Sequence, residues 1–212
     1  TTMVHHLDSR GLLRRENRLV PGPAGALSRQ VDFGRGSRGC VSIPWGDIAT
    51  AWRTTGIPNV TVYMAAPSQT RFVVRATRFL GPLLRRKFVK QWLQRRVDAA
   101  PPGPTPEARA SGYALFWGKV TAPSGQSAEA WMGTAEGYTF TARASVEIAR
   151  RALAGELSVG YATPAGAYGS DLPLSVKGTV REDDREIFSA HLNDSEKLND
   201  PLVATAGSPT EL

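Results

Sequence analysis

The sequence contains few of the residues on which metal sites and covalent catalysis depend. Its 212 residues include one cysteine, Cys40, and three histidines, His5, His6 and His191. A single cysteine excludes an internal disulfide, and we interpret Cys40 as a small buried side chain in a strand rather than as a nucleophile. No cysteine or carboxylate accompanies the histidines at the spacing of a zinc site. We therefore expect no bound metal.

Long apolar runs and nucleotide-binding motifs are also missing. No segment approaches the roughly 18 consecutive apolar residues of a membrane-spanning helix, and no Gly-Lys-Ser or Gly-Lys-Thr phosphate loop is present. Gly34, Gly36 and Gly39 invite comparison with a dinucleotide fingerprint, but that motif needs a strand, then glycines, then a helix. Here the glycines separate two strand-like segments, 30–33 and 40–43. We predict a hairpin turn at this position.

Basic residues dominate the charge of the sequence, whose net value is +7. Residues 181–212 carry −5, which leaves +12 for residues 1–180. Segment 71–96 is the most basic, and its apolar residues recur at helical spacing. We predict a helix pair with a solvated basic face; the alternative is a peripheral membrane contact in which arginines meet lipid phosphates. No DNA- or RNA-binding signature accompanies the charge, so no nucleic-acid partner is expected.

Hydrophobic periodicity and turn residues predict an α+β fold with a mostly antiparallel sheet covered by helices, because no regular βαβ alternation is present. A loop-rich start, 11–25, is expected to hold one short strand at 18–20. An acidic, loosely ordered tail is expected at 179–212, with a brief helix at 186–192, after a domain spanning residues 1–178. The other predicted elements are a helix at 48–55, a strand at 59–65, a hairpin of 113–121 and 128–134, a helix at 141–154, a loop at 160–169 and a last strand at 172–176.

Two stretches hold more special residues than a simple connector needs. The first is Pro44-Trp45-Gly46-Asp47 with the threonines that follow it. A helix starting here offers N–H groups and a positive dipole end to an anion; the alternative is that Asp47 serves as an ordinary N-cap. The second is segment 160–169, whose small residues allow a ligand or another domain to approach the backbone closely. The alternative for this segment is an ordinary flexible loop.

These stretches resemble a known family. Val31-Asp32-Phe33-Gly34, Ile43-Pro44-Trp45-Gly46-Asp47 and Thr54-Thr55-Gly56-Ile57-Pro58-Asn59 are similar to bacterial saccharopine-dehydrogenase-like oxidoreductases, in particular their trans-acting enoyl reductase branch. Pro101-Pro102-Gly103-Pro104, Gly112-Tyr113 with Trp117-Gly118, and Gly160-Tyr161-Ala162-Thr163-Pro164 with Tyr168-Gly169 extend the similarity. The resemblance covers residues 1–178 and only the C-terminal, substrate-side half of the family.

The resemblance implies a saccharopine-reductase-like C-terminal domain and NAD(P) as the cofactor of the parent enzymes. Because the N-terminal Rossmann half is absent, we expect this chain alone to bind no cofactor. Three alternatives stay open: a fragment, a split enzyme that meets a Rossmann domain in trans, or a truncated gene product without function. The reaction implied is enoyl or imine reduction in the cytoplasm, with the membrane-surface role of segment 71–96 as the alternative. The resemblance implies a substrate cleft lined by Trp45, Asp47, Thr50, Thr54 and Thr163, with Tyr168 as the candidate proton donor.

Overall fold

The computed structural model describes residues 11–22, 25, 27–67, 103–156 and 159–193, together with positions 91, 92, 95 and 99. The chain divides into two compact units. The N-terminal unit comprises Thr1–Val31 and Ser37–Gly103, and the C-terminal unit comprises Asp32–Gly36 and Pro104–Leu212. The assignment of residues 1–178 to one family domain stays a prediction.

The first described element of the N-terminal unit is a hairpin of β1 (Gly11–Arg15) and β2 (Arg18–Gly22). Its two-residue turn, Glu16-Asn17, has positive φ angles of 49° and 65°, as the tight turns that suit twisted strands require. The predicted strand at 18–20 is confirmed, but the prediction of a loop before it is wrong. The alternating apolar pattern was missing because the buried residue of β1 is Arg14, which is 5% exposed.

A second small sheet has the order β3 (Ser28–Asp32), β4 (Ser37–Ser42) and β5 (Tyr63–Ala65). The predicted hairpin turn around the glycines is confirmed, and Cys40 is fully buried in β4, as expected. The predicted strand at 59–65 is shorter than expected. Val60 instead forms an isolated bridge with Arg14.

Helix α1 (Asp47–Thr55) follows β4 and confirms the predicted helix. It ends at Gly56, whose φ of 70° suits glycine and whose N–H donates to the Trp52 carbonyl. The interpretation of Asp47 as the N-cap is wrong. Gly46 occupies the cap position in a helical conformation, and no side chain caps this helix end.

The C-terminal unit contains the longest hairpin of the described chain, β6 (Tyr113–Thr121) with β7 (Ser127–Ala135). Strand β8 (Val180–Glu182) pairs antiparallel with β7, so that the order is β6-β7-β8. The predicted hairpin is confirmed. The described part of this unit also contains helices α2 (Pro106–Ser111), α3 (Gly137–Leu153), α4 (Pro164–Tyr168) and α5 (Arg185–Asn193).

Three predictions for this unit need correction. Helix α3 begins earlier than predicted, because the Glu136 carboxylate accepts hydrogen bonds from the N–H groups of Tyr138 and Thr139. The predicted loop at 160–169 contains α4. The predicted last strand at 172–176 is a 3-10 helix, Leu172–Ser175, since Pro173 favours a helical start and the Ser175 hydroxyl donates to the helix backbone.

The start of the predicted loose tail is ordered in this structure. Strand β8 and helix α5 lie within it, and the predicted brief helix at 186–192 is confirmed by α5. Phe188 and Leu192, one helical turn apart on α5, are both fully buried against Trp131 of β7. Burying two large apolar side chains offsets the charge repulsion and solvation that favoured a loose tail.

The described chain is α+β, with three small antiparallel sheets rather than the single sheet predicted, and with five α-helices. Among the residues that the structure describes, no helix is both long enough and apolar enough to cross a bilayer.

Candidate functional site

Helix α1, which carries the candidate site residues Asp47, Thr50 and Thr54, is held in place by a buried arginine. Arg14 Nε donates to the Ile48 carbonyl of α1 at 2.7 Å, and Arg14 Nη1 donates to the Asn17 carbonyl at 2.6 Å. The guanidinium carbon also lies 4.5 Å from the ring centroid of Trp52, a cation–π geometry. Trp52 Nε1 in turn donates to Asn17 Oδ1 at 2.9 Å. The hairpin and α1 are therefore joined by one network.

The solvent side of α1 presents oxygen atoms beside an exposed indole. Asp47, Thr50 and Thr54 lie within about 60° of one another around the helix axis. The Thr54 hydroxyl donates to the Thr50 carbonyl. The Thr50 hydroxyl donates to the Gly46 carbonyl, which leaves the lone pairs of the Thr50 oxygen as acceptors. Trp45, two residues before the first residue of the helix, is 55% exposed. This face can accept hydrogen bonds from a ligand and cover an apolar group.

The other two candidates lie on α4 of the C-terminal unit. Thr163 is buried, and its hydroxyl oxygen accepts a 2.9 Å bond from Gly166 N, which caps the helix. The Tyr168 hydroxyl is buried and has no hydrogen-bond partner among the described residues. Arg151 lies over the ring, 5.6 Å from its centroid. The structure therefore groups the candidates in two sets: Trp45, Asp47, Thr50 and Thr54 on the N-terminal unit, and Thr163 and Tyr168 on the C-terminal unit.

Asp32, which belongs to the first family-like stretch, is the hydrogen-bonding centre of a turn. Its Oδ1 accepts bonds from the N–H groups of Gly34 and Gly36, and its Oδ2 pairs with Arg185 at 3.0 Å. Its backbone carbonyl accepts a 2.9 Å bond from Trp131 Nε1. We did not single out Asp32 from the sequence as a structural residue, although an aspartate two residues before a glycine is typical of such turns.

Close packing explains Gly34 in the same stretch. Its φ is +86°, and a Cβ at this position would lie 2.7 Å from Phe188 Cδ1. A glycine is needed here both for the backbone conformation and for the approach of α5. Gly34, one of the three glycines that resembled a dinucleotide fingerprint, thus serves the packing of the C-terminal unit.

Charge pairs on the surface of the C-terminal unit lower the pKa values of two carboxyl groups. Hydrogen bonds from Arg150 and Arg151 lower the pKa of Glu147 to about 2. A hydrogen bond from Arg181, at 2.7 Å, lowers the pKa of Asp171. Both groups stay ionised at neutral pH, so neither is poised to exchange a proton there.

Within the described ranges, no three His, Cys, Asp or Glu side chains converge as ligands for a metal ion. The basic segment 71–96 lies outside the described residues, apart from positions 91, 92 and 95. Its predicted helix pair and its membrane-surface role therefore stay predictions.

No family model, no curated protein and no solved structure matches this chain. The family resemblance therefore depends on the quoted sequence stretches alone.

Proposed function

We propose that this chain is the substrate-side part of an NAD(P)-dependent oxidoreductase of the saccharopine-dehydrogenase-like type, with a saccharopine-reductase-like C-terminal fold. It would act with a Rossmann domain supplied in trans, and it would reduce a C=C or C=N bond in a lipid-like or amino-acid-like substrate. The observation that carries the proposal is the acceptor face of α1 beside the exposed indole of Trp45.

The chemistry of that face favours a substrate with a hydrogen-bond donor next to an apolar portion. The Asp47 carboxylate and the Thr50 hydroxyl oxygen accept hydrogen bonds, and the Thr50 hydrogen already donates to the Gly46 carbonyl. An amino or imino group of the substrate meets these acceptors, while Trp45 covers the adjacent carbon chain. Amino-acid-like substrates suit this arrangement better than purely lipid-like ones.

When bound, NAD(P)H supplies the hydride, and the residues of this chain orient the acceptor. Tyr168 is the proposed proton donor. Within the part of the chain that the structure describes, its hydroxyl has no hydrogen-bond partner, which supports the assignment. A phenol must come within hydrogen-bond reach of the substrate to donate its proton.

The test mixes the chain with a purified Rossmann half of a saccharopine-dehydrogenase-like reductase and NADPH, and follows nicotinamide absorbance with imine and enoyl substrates. We expect faster oxidation in the mixture than with the Rossmann half alone. Trp45→Ala and Asp47→Asn should each reduce the gain by about tenfold or more, the loss that follows when one orienting contact is removed. Thr55→Ala, at the last residue of α1, is the control and should retain the full gain in the oxidation rate. Equal rates with and without the chain, for every substrate, would contradict the proposal.

The charge of the N-terminal unit supports a second candidate, a peripheral membrane protein. This unit contains 16 basic and 4 acidic residues in the sequence, a net charge of +12. Flotation with phosphatidylserine vesicles tests this role, with charge reversal at Arg85, Arg86 and Lys87. Binding should need anionic lipid, decrease with salt and be lost in the reversed variant. No flotation with anionic vesicles, or flotation that charge reversal leaves unchanged, would contradict this role.

A further inference from the structure

The outer edge of strand β6 is a long and regular hydrogen-bonding surface. In the sheet order β6-β7-β8, the nine residues of β6 lie at the end, and among the described residues no strand pairs with its outer side. Natural edge strands are usually short, bulged, proline-bearing or multiply charged, because a bare edge is a template for another strand. Strand β6 contains no proline, and Lys119 is its sole charged residue.

The turn of this hairpin determines which backbone groups point outward. The Ala122 N–H donates to the Gln126 carbonyl at 2.8 Å. Hydrogen-bonded pairs alternate along an antiparallel ladder, so the even-numbered residues of β6 bond to β7. The N–H and C=O groups of the odd-numbered residues, such as Leu115 and Lys119, therefore point to the outer edge.

The even-numbered side chains of β6 form an exposed apolar surface. Phe116 is 44% exposed and Val120 is 51% exposed. Gly118 lies between them, and the space where its Cβ would lie is open, with no atom within 4 Å. An aromatic ring packed across such a glycine is a known stabilising pair in sheets. On this surface Phe116 thus projects as an apolar side chain, and the open space at Gly118 can receive such a side chain.

We propose that β6 pairs antiparallel with β6 of a second copy of this chain, about a two-fold axis at Trp117. In this register all nine residues find a partner on the other strand. Phe116 faces Gly118 of the second copy, and each strand contributes one such pair. Leu115 faces Lys119 of the second copy, so the outward N–H and C=O groups of these residues meet. Trp117 keeps its side-chain bond to Glu129.

Self-complementarity selects a second copy over an unrelated strand as the occupant. An isologous interface needs a surface that matches itself under two-fold rotation. Strand β6 meets this requirement in its length, in the alternation of its outward hydrogen-bonding groups and in the pairing of Phe116 with Gly118. Charge adds no repulsion, because each Lys119 lies opposite Leu115 of the other copy. Each Lys119 is also paired with its own Glu129 at 2.6 Å.

Register-specific disulfide trapping tests the pairing directly. Phe116 and Gly118 of the second copy form a non-hydrogen-bonded pair, for which the Cα separation is about 4.5 Å and allows a disulfide. Phe116→Cys and Gly118→Cys chains, mixed under oxidation, should crosslink. In a dimer of one variant alone, the two identical cysteines lie diagonally across the two strands, about 7–8 Å apart, and should crosslink much less. Cys40 is fully buried and does not compete.

A proline substitution at the edge provides the second measurement. Lys119→Pro removes an outward N–H and leaves the β6–β7 hydrogen bonds intact, since proline is tolerated where the N–H faces away from the sheet. Lys119→Ala removes the same ion pair but keeps the N–H. By sedimentation, we expect a dimer for the parent chain and for Lys119→Ala, and a monomer for Lys119→Pro with unchanged circular dichroism.

Three results would overturn the proposal: a monomeric parent chain throughout a concentration series, a dimer that persists in Lys119→Pro, or mixed cysteine variants that crosslink no better than either alone. If Lys119→Pro does not fold, the disulfide experiment decides by itself.

Discussion

The two units of this protein anchor a helix in opposite ways. In the N-terminal unit, α1 is held by the guanidinium of Arg14, which binds the Ile48 carbonyl and stacks on Trp52. In the C-terminal unit, α5 is held by Phe188 and Leu192, which are fully buried against Trp131. A polar anchor contributes directional bonds, whereas an apolar anchor contributes buried area. The two units should therefore respond differently to substitution, to pH and to salt.

The units also differ in net charge, at +12 for the N-terminal unit and −5 for the C-terminal unit, which has 10 basic and 15 acidic residues. The basic excess lies largely in segment 71–96, and the acidic excess lies in residues 181–212. Salt screens exposed charges within about 10 Å at 0.1 M. Interactions of the N-terminal unit with anions should accordingly weaken as the ionic strength rises.

The largest effect should come from truncating the apolar anchor. Phe188→Ala removes a fully buried ring and should lower the free energy of unfolding by about 3–5 kcal/mol. Amide exchange should accelerate in β6, β7 and α5 more than in β4. The control is Ile187→Ala, whose side chain is 51% exposed on the same helix. Equal effects of the two substitutions would show that α5 is not anchored by Phe188.

A somewhat smaller effect is expected at the polar anchor. Arg14→Ala removes two hydrogen bonds from a charged donor, at 2.7 and 2.6 Å, and the contact with Trp52. We expect a loss of about 3 kcal/mol, from charged hydrogen bonds worth roughly 1.5–3 kcal/mol each. Amide exchange should accelerate in α1.

Arg18→Ala is the matched control for this prediction, since Arg18 is an exposed arginine of the same hairpin. It should change the free energy of unfolding by less than about 0.5 kcal/mol. If both arginines give the same loss, net charge rather than the Arg14 network stabilises the hairpin.

The smallest effect should be a pH dependence of α3. The pKa of Glu147 is lowered from 4.5 to about 2 by Arg150 and Arg151. A depressed carboxyl pKa contributes stability that is fully present above the unfolded value and is lost as the pH falls through the folded value. The contribution should therefore decline between pH 4.5 and about 2.

Glu147→Gln, measured by thermal unfolding over that pH range, should give a shallower decline than the parent chain. Glu156→Gln, near the end of α3, is the control and should leave the slope unchanged. A parent slope that equals the Glu147→Gln slope would show that the ion pairs contribute nothing to stability.

Local patterns in the sequence predicted several elements of both units. The hairpin of β6 and β7, helix α1 with Gly56 and the turn at Gly34 and Gly36 follow from alternation, helical spacing and glycine conformations, which act over a few residues. The start of α3 was missed by four residues, because the cap is Glu136 and the sequence gives glutamate no strong cap preference.

The sequence by itself determined the α+β class, the hairpins of β3 with β4 and of β6 with β7, and the separation of basic from acidic regions, because these depend on composition and short-range periodicity. Tertiary structure alone decided that Arg14 is buried and that Asp32 joins a turn to α5. It also decided that part of an acidic, loose-looking tail packs through Phe188. These features depend on contacts between residues far apart in sequence, as for Asp32 and Arg185, which are 153 positions apart. A local pattern carries no information about such a partner.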